Sequence, residues 1–252
     1  MIPFRDENPT VHTPIVTYAL IGMNIFVWVT VQGLGTDPAL TMSFCQYALM
    51  PGDLLNLADY THVQMSQNFA CPLEARPGFS TLLSSMFMHG GWMHIIGNML
   101  FLWVFGDNVE DVMGPLRFAS FYVLCGIAAA VAQIISNPGS LVPMVGASGA
   151  IGGVMGAYAI LYPKARVHML IILVFYITTI SVPAIFMLGY WFLLQLVSGF
   201  VSFGQTGGGV AFWAHIGGFL AGVILVFVFR DANKIKARQQ LTKRYDAKHR
   251  WL

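Results

Sequence analysis

Six apolar stretches of about bilayer-spanning length recur along this chain, at about 13–33, 93–113, 115–136, 148–163, 182–201 and 211–229. A helix needs roughly 20 apolar residues to cross the hydrocarbon core. Inside lipid, every backbone N–H and C=O must find its partner within the segment or in protein packed against it. Such a chain can fold as a bundle of membrane-crossing helices and as little else. The fourth stretch, ending at Tyr162-Pro163, is short and is expected to be buried by its neighbours. Only 10% of residues are charged and 56% are hydrophobic, against about 25% charged in soluble domains. That excludes an ordinary cytosolic enzyme and a disordered chain alike. The predicted fold class is all-α: a polytopic membrane protein with six transmembrane helices.

The placement of charge orients the helices. Arg5 precedes the first stretch, Arg117 lies at the turn between the second and third, and Lys164 and Arg166 follow the fourth. Arg230, Lys234, Lys236, Arg238, Lys243, Arg244, Lys248 and Arg250 follow the sixth. Only Arg76 falls on the opposite side, so twelve of the thirteen basic residues share one side. The positive-inside rule then places both termini in the cytoplasm. The expected organisation is a cytoplasmic N-terminus (1–13), a six-span membrane domain (14–230) with a long non-cytoplasmic loop at about 34–91, and a basic cytoplasmic tail (231–252) near anionic headgroups. The first apolar run is too long for a signal-peptide core and has no Ala-x-Ala site after it, so it reads as a retained span.

The long loop holds Pro38, Pro51, Pro72 and Pro77 and is predicted to be irregular with short helices. Its apolar end, Phe79 to Met88, is expected to lie in or dip into the interface. Cys45 and Cys71 share this loop, where a disulfide is redox-permitted, and both the bridged and the unpaired states are open; Cys125 is inside the third span. Val167 to Ser181, rich in Ile, Val and Thr and broken by Pro183, is predicted to be an interfacial or β-like excursion on the cytoplasmic side.

A polar side chain at bilayer depth is costly and asks for an explanation. Ser148, in Gly146-Ala147-Ser148-Gly149, and His215, in Ala214-His215-Ile216-Gly217-Gly218, are two such residues. Glycines four apart (Gly149 and Gly153, Gly152 and Gly156, Gly218 and Gly222) let two helix backbones approach closely. Alone they read as generic membrane packing. Ser148 starts one of these faces and His215 lies on the other, so packing them brings a hydroxyl to an imidazole that can activate it as a nucleophile. Asp107, Glu110 and Asp111 sit at the opposite end of the second span, which favours a Ser148–His215 dyad over a triad with a carboxylate. His94 and Asn98, i and i+4 on one helix face, lie at the same outer depth. With the Ser148 backbone N–H they make a candidate oxyanion hole.

Three histidines, His89, His94 and His215, offer a competing metal site. No His-Glu-x-x-His motif and no carboxylate at that depth support it, so no metal is expected. A transporter would want intramembrane carboxylates or internal repeats, and neither is found.

In these motifs the chain resembles the rhomboid family of intramembrane serine proteases, over about residues 14–230. Gly146-Ala147-Ser148-Gly149 matches the family's Gly-x-Ser-Gly motif, and Ala214-His215 with Gly218 and Gly222 matches Ala-His-x-x-Gly-x-x-x-Gly. His89, His94 and Asn98 match His-x-x-x-x-His-x-x-x-Asn, and Glu110 and Gly114 fit the end of that helix. The resemblance implies a six-helix rhomboid-like bundle in the bacterial inner membrane, with a water-filled cavity open to the non-cytoplasmic side. It implies Ser148 as nucleophile, His215 as general base and acid, and His94, Asn98 and the Ser148 amide around the oxyanion. Gly146, Gly149, Gly152, Gly153, Gly218 and Gly222 would be supporting helix contacts. The implied partners are transmembrane protein substrates and membrane lipid, with no cofactor, metal or nucleic acid. The fifth span and the loop from Ser202 to Val210 would be the gate and cap. A silent relative that binds or escorts membrane clients is the alternative; such relatives typically lose the serine or the histidine, and this chain keeps both.

Two departures stand out. The family often has an aromatic four residues after the nucleophile, packing on the histidine, and here that position is Gly152. Orientation of His215 is then expected to depend on a neighbour such as Trp213, or to be looser. The Trp-Arg pair common in the family's first loop is replaced by Phe79-Ser80.

Overall fold

A computed structural model of the chain describes residues 2–57, 62–66, 69–73, 78–173, 176–202, 209–238 and 240. Arg76, most of the glycine-rich 202–210 loop and the tail residues Lys243 to Arg250 lie outside the described residues. Strand β1 (Ile2–Asp6) precedes α1 (Ile15–Thr30). The long loop holds α2 (Ala39–Tyr47), α3 (Pro51–Leu54), a hairpin of β2 (His62–Ser66) and β3 (Phe69–Pro72), and α4 (Thr81–Ser84). Then come α5 (Trp92–Met113), α6 (Pro115–Ser136) and α7 (Ser148–Leu161). Strands β4 (Arg166–Leu173) and β5 (Tyr176–Pro183) lead to α8 (Ala184–Val201) and α9 (Phe212–Phe229).

The architecture is largely helical, with two small antiparallel sheets between helices. Among the described residues, α6, α8 and α9 are long and apolar enough to cross a membrane on those criteria alone, while α1 and α7 are apolar but shorter. α5 runs 22 residues but carries His94 and Asn98 near one end and Asp107, Glu110 and Asp111 near the other. The segment expected to be β-like is a hairpin: β4 pairs antiparallel with β5, and β1 pairs with the other edge of β4, Ile2 opposite Leu170. Val167 and Met169, two apart and so on one face of β4, are buried in the core.

α7 is the middle of the bundle, with Gly149 through Ala159 all buried. Its glycines admit backbone where side chains would stand. A Cβ added to Gly218 would fall on the Gly149 carbonyl, and one added to Gly222 on the Gly153 carbonyl. Gly153 also receives Cys125 from α6. The short fourth stretch is, as expected, buried by its neighbours.

One end of the bundle is polar and organised by the last turns of α5. Glu110, buried, accepts the Val16 N–H (2.9 Å), the Thr17 N–H (2.8 Å) and the Thr17 hydroxyl (2.8 Å), supplying the first turn of α1 with the partners a helix start lacks. Asp111 accepts the Val11 and His12 N–H groups and pairs with Arg238, whose guanidinium lies 4.3 Å above the Tyr162 ring. Asp6 accepts the Tyr158 hydroxyl at 2.5 Å, and burial holds its carboxyl above the usual range. Gly114 turns the chain from α5 to α6 at φ +80°, where a side chain is strained. At the other end, Cys45 and Cys71 form a disulfide joining α2 to β3. Met86, from the apolar end of the long loop, is buried against Gly126 of α6.

Candidate active site

Ser148 is the first residue of α7, and its N–H is among those the helix itself cannot satisfy. The turn that delivers it is tight. Gly146 sits at φ +127°, a conformation L side chains rarely adopt, and its N–H donates to the Ser85 carbonyl at 2.9 Å. His215 lies one turn into α9. The glycine contact between the two helices brings the side chains together: Ser148 Oγ is 2.8 Å from His215 Nε2. Both residues are half-buried and line one cavity of about 1100 Å³ at the end of the bundle where α5, α7 and α9 begin.

His94 and Asn98 line the same cavity. The Gly90 N–H donates to His94 Nδ1 at 3.1 Å, which makes Nε2 the N–H end of the neutral ring. That end points at the Gly146–Ser148 turn. A Cβ placed on Gly146 would be 2.8 Å from His94 Nε2 and 3.4 Å from Ser148 Oγ. Glycine is thus required there for space as well as for φ. Asn98 is 7% exposed, and its Nδ2 makes no hydrogen bond to the described residues. The arrangement holds a hydroxyl beside a base, with N–H donors from α5 and the start of α7 around it.

His89 does not join His215. It is fully buried, clamped through its backbone by Gln32 (2.8 and 2.9 Å) and edge-on to the His94 ring at 5.2 Å. Among the described residues no group of three or more His, Cys, Asp or Glu side chains is arranged to hold a metal ion.

Gly152 leaves no aromatic of its own beside His215; a Cβ there would meet the His215 carbonyl at 3.1 Å and the Trp191 ring at 3.8 Å. The neighbour expected at Trp213 is instead Trp191 of α8, whose ring centre is 5.7 Å from that of His215 at 35°. Trp213 packs edge-on to Phe200, 5.4 Å away. The reason is rotation: position 191 of α8 faces the His215 side of α9, whereas Trp213 leaves α9 in another direction two residues before His215. One polar contact was missed from the sequence. Gln195, one turn after Trp191, has its Oε1 2.8 Å from His215 Nδ1. The available signal was an amide in an otherwise apolar span.

The rhomboid domain family matches residues 76–232. Rhomboid protein 1, mitochondrial, of Saccharomyces cerevisiae is 26% identical over 246 residues, covering 95% of this chain and 59% of that protein. RHOMBOID-like protein 5 of Arabidopsis thaliana is 28% identical over 179 residues, 67% of this chain and 50% of the relative. Rhomboid protease GluP of Bacillus subtilis is 36% identical over 144 residues, 57% of this chain and 25% of the relative. The chain spans between a quarter and about three fifths of the length of these curated relatives.

Proposed function

The chain belongs to the rhomboid family, and on that premise we propose that it is an intramembrane serine endopeptidase cleaving transmembrane or juxtamembrane segments of membrane proteins. The observation that carries this reading is the 2.8 Å hydrogen bond between Ser148 Oγ and His215 Nε2. His215 takes the serine proton as Oγ attacks the scissile carbonyl carbon. It returns that proton to the leaving amine as the C–N bond breaks, leaving an acyl-enzyme on Ser148. His94 Nε2–H, Asn98 Nδ2–H and the Ser148 amide hold the oxyanion as it develops. Water from the cavity, activated by His215, then hydrolyses the ester. A relative named as a protease among those matched supports the reading.

In the proposed arrangement six helices cross the bilayer: α1, α5, α6, α7, α8 and α9. Residues 14–230 form the membrane domain, and residues 1–13 and 231–252 flank it on the cytoplasmic side of a bacterial inner membrane. The bias of basic residues supports this sidedness. The cavity then opens to the non-cytoplasmic face, where transmembrane substrates enter from the surrounding lipid.

The test is a mechanism-based serine probe on the detergent-solubilised protein, paired with cleavage of a transmembrane reporter. Ser148→Ala should abolish both. Labelling that survives the substitution would remove Ser148 as nucleophile, and an unlabelled, inactive wild type would favour a client-binding role.

A further inference from the structure

α8 is apolar along its length except for Gln195 and Ser198. Gln195 is buried, where an unsatisfied amide is costly, and both of its ends are used. Nε2 donates to the Trp191 carbonyl at 3.3 Å. A carbonyl only accepts, so this contact fixes which end of the amide is nitrogen and turns Oε1 toward α9. Oε1 lies 2.8 Å from His215 Nδ1. A carbonyl oxygen cannot donate either, so Nδ1 carries the ring proton. The other nitrogen, Nε2, then offers its lone pair to the Ser148 hydroxyl at 2.8 Å.

We propose that Gln195 is a positioning residue for the base, the neutral third member of a Ser148–His215–Gln195 triad; this rests on the proteolytic reading above. In nucleophile–base pairs the orienting third group is commonly a carboxylate. Here the carboxylates of α5 stand at the other end of the bundle, with Glu110 and Asp111 bound to the chain before and within α1. An amide performs the tautomer selection of that third group without the cost of a buried charge. During acylation the serine proton passes to His215 Nε2 while Nδ1–H stays donated to Gln195 Oε1. When Nε2 gives its proton to the leaving amine, the Nδ1 contact is again unchanged. Gln195 exchanges no proton; it holds the ring in register. α8 therefore supplies the orienting amide, the carbonyl that anchors it and the Trp191 ring against His215. The titratable neighbour sharing the cavity with this ring is His94 of α5.

The competing role is an interhelical tie between α8 and α9 with no bearing on the base. Gln195→Leu removes the acceptor in an apolar setting, and Gln195→Glu restores an acceptor with charge. Both are compared with wild type in purified full-length protein for kcat and KM on a transmembrane reporter, for Tm, and for the His215 tautomer by ¹⁵N NMR. In Gln195→Leu, kcat should fall roughly 10²-fold, the low end of what a positioned acid–base group contributes, with KM and Tm nearly unchanged and the Nδ1–H tautomer lost. Gln195→Glu should recover most of kcat and move the acidic limb of the kcat/KM profile to higher pH, because a carboxylate favours the imidazolium. Wild-type kcat in Gln195→Leu overturns the positioning role. So does a loss confined to Tm or KM that the glutamate does not rescue. Failure of the proteolytic reading is distinct: wild type would be as inactive as Ser148→Ala while the tautomer still responded to Gln195, and both proposals would fall.

Discussion

Gly218 of α9 packs directly on the carbonyl of Gly149 in α7, leaving no room for even a methyl group between the two backbones. Ser148 precedes one of these residues and His215 lies one turn before the other. The closeness of the helices therefore sets the reach between hydroxyl and imidazole. Small residues here set that distance through packing, as interfaces in lipid depend on close backbone approach.

Gly218→Ala should separate α7 from α9, because the atom met is backbone and cannot rotate away. Overpacking of this kind costs about 1–3 kcal/mol, occasionally more. The expected outcome is a lower Tm in detergent together with strongly reduced serine-probe labelling. Gly189→Ala is the control: it lies in α8 with open space around it, and it should hold or raise Tm. Equal behaviour of the two variants would refute the close contact.

Asn98→Ala should lose roughly 2.7–4 kcal/mol of transition-state stabilisation if Nδ2 is a full oxyanion donor. The Nδ2 group makes no hydrogen bond to the described residues, so thermal stability should barely change. Steady-state kcat/KM beside a melting curve distinguishes this from an interhelical bond, for which Tm would fall and turnover persist.

Trp191→Ala should lower kcat by about 2- to 10-fold, matching the 0.5–1.5 kcal/mol of an aromatic contact, and Trp191→Phe should retain most of the activity. Gly152→Tyr, which installs the aromatic at the usual place, should be more damaging in the presence of Trp191 than beside Trp191→Ala. A Cβ at 152 already stands 3.8 Å from the Trp191 ring. Additive losses in the double variant would count against a shared space.

His89 gives a pH dependence of stability. Burial, and then the neighbouring His94, push its pKa down from 6.5 to about 3. Between those values the unfolded chain binds a proton that the folded chain does not, so stability rises with pH across the window. The contribution is fully present above pH 6.5 and is lost as pH falls toward 3, the loss reaching about 3 kcal/mol by pH 4. His89→Asn keeps the backbone clamp from Gln32 and should flatten this part of the Tm–pH curve. An unchanged curve would place the sensitivity elsewhere.

The helical pattern was legible because lipid leaves the backbone few choices. Hydropathy located the stretches that fold as α1, α5, α6, α7, α8 and α9, and it marked α7 as too short to stand in lipid unaided. The β-like character of 167–181 was also readable, from its β-branched residues and terminal proline. The pairing of β4 with β1 was not, since the partner lies at the far end of the sequence. The Cys45–Cys71 bridge was open for the same reason: spacing permits it, and only the folded loop brings the two sulfurs together.

Ser148, His215, His94 and Asn98 stood out in the sequence because polar groups are costly in an apolar span and because glycines marked the faces that meet. Gln195 and Trp191 carried no motif. Whether they touch His215 depends on how α8 is rotated and how far it is displaced along α9, and neither quantity is written in local periodicity. Sequence thus determined the solvent, the helices and the Ser148–His215 pair. Tertiary packing decided what holds the imidazole, because that contact comes from a helix whose rotation is fixed only when all its neighbours are in place.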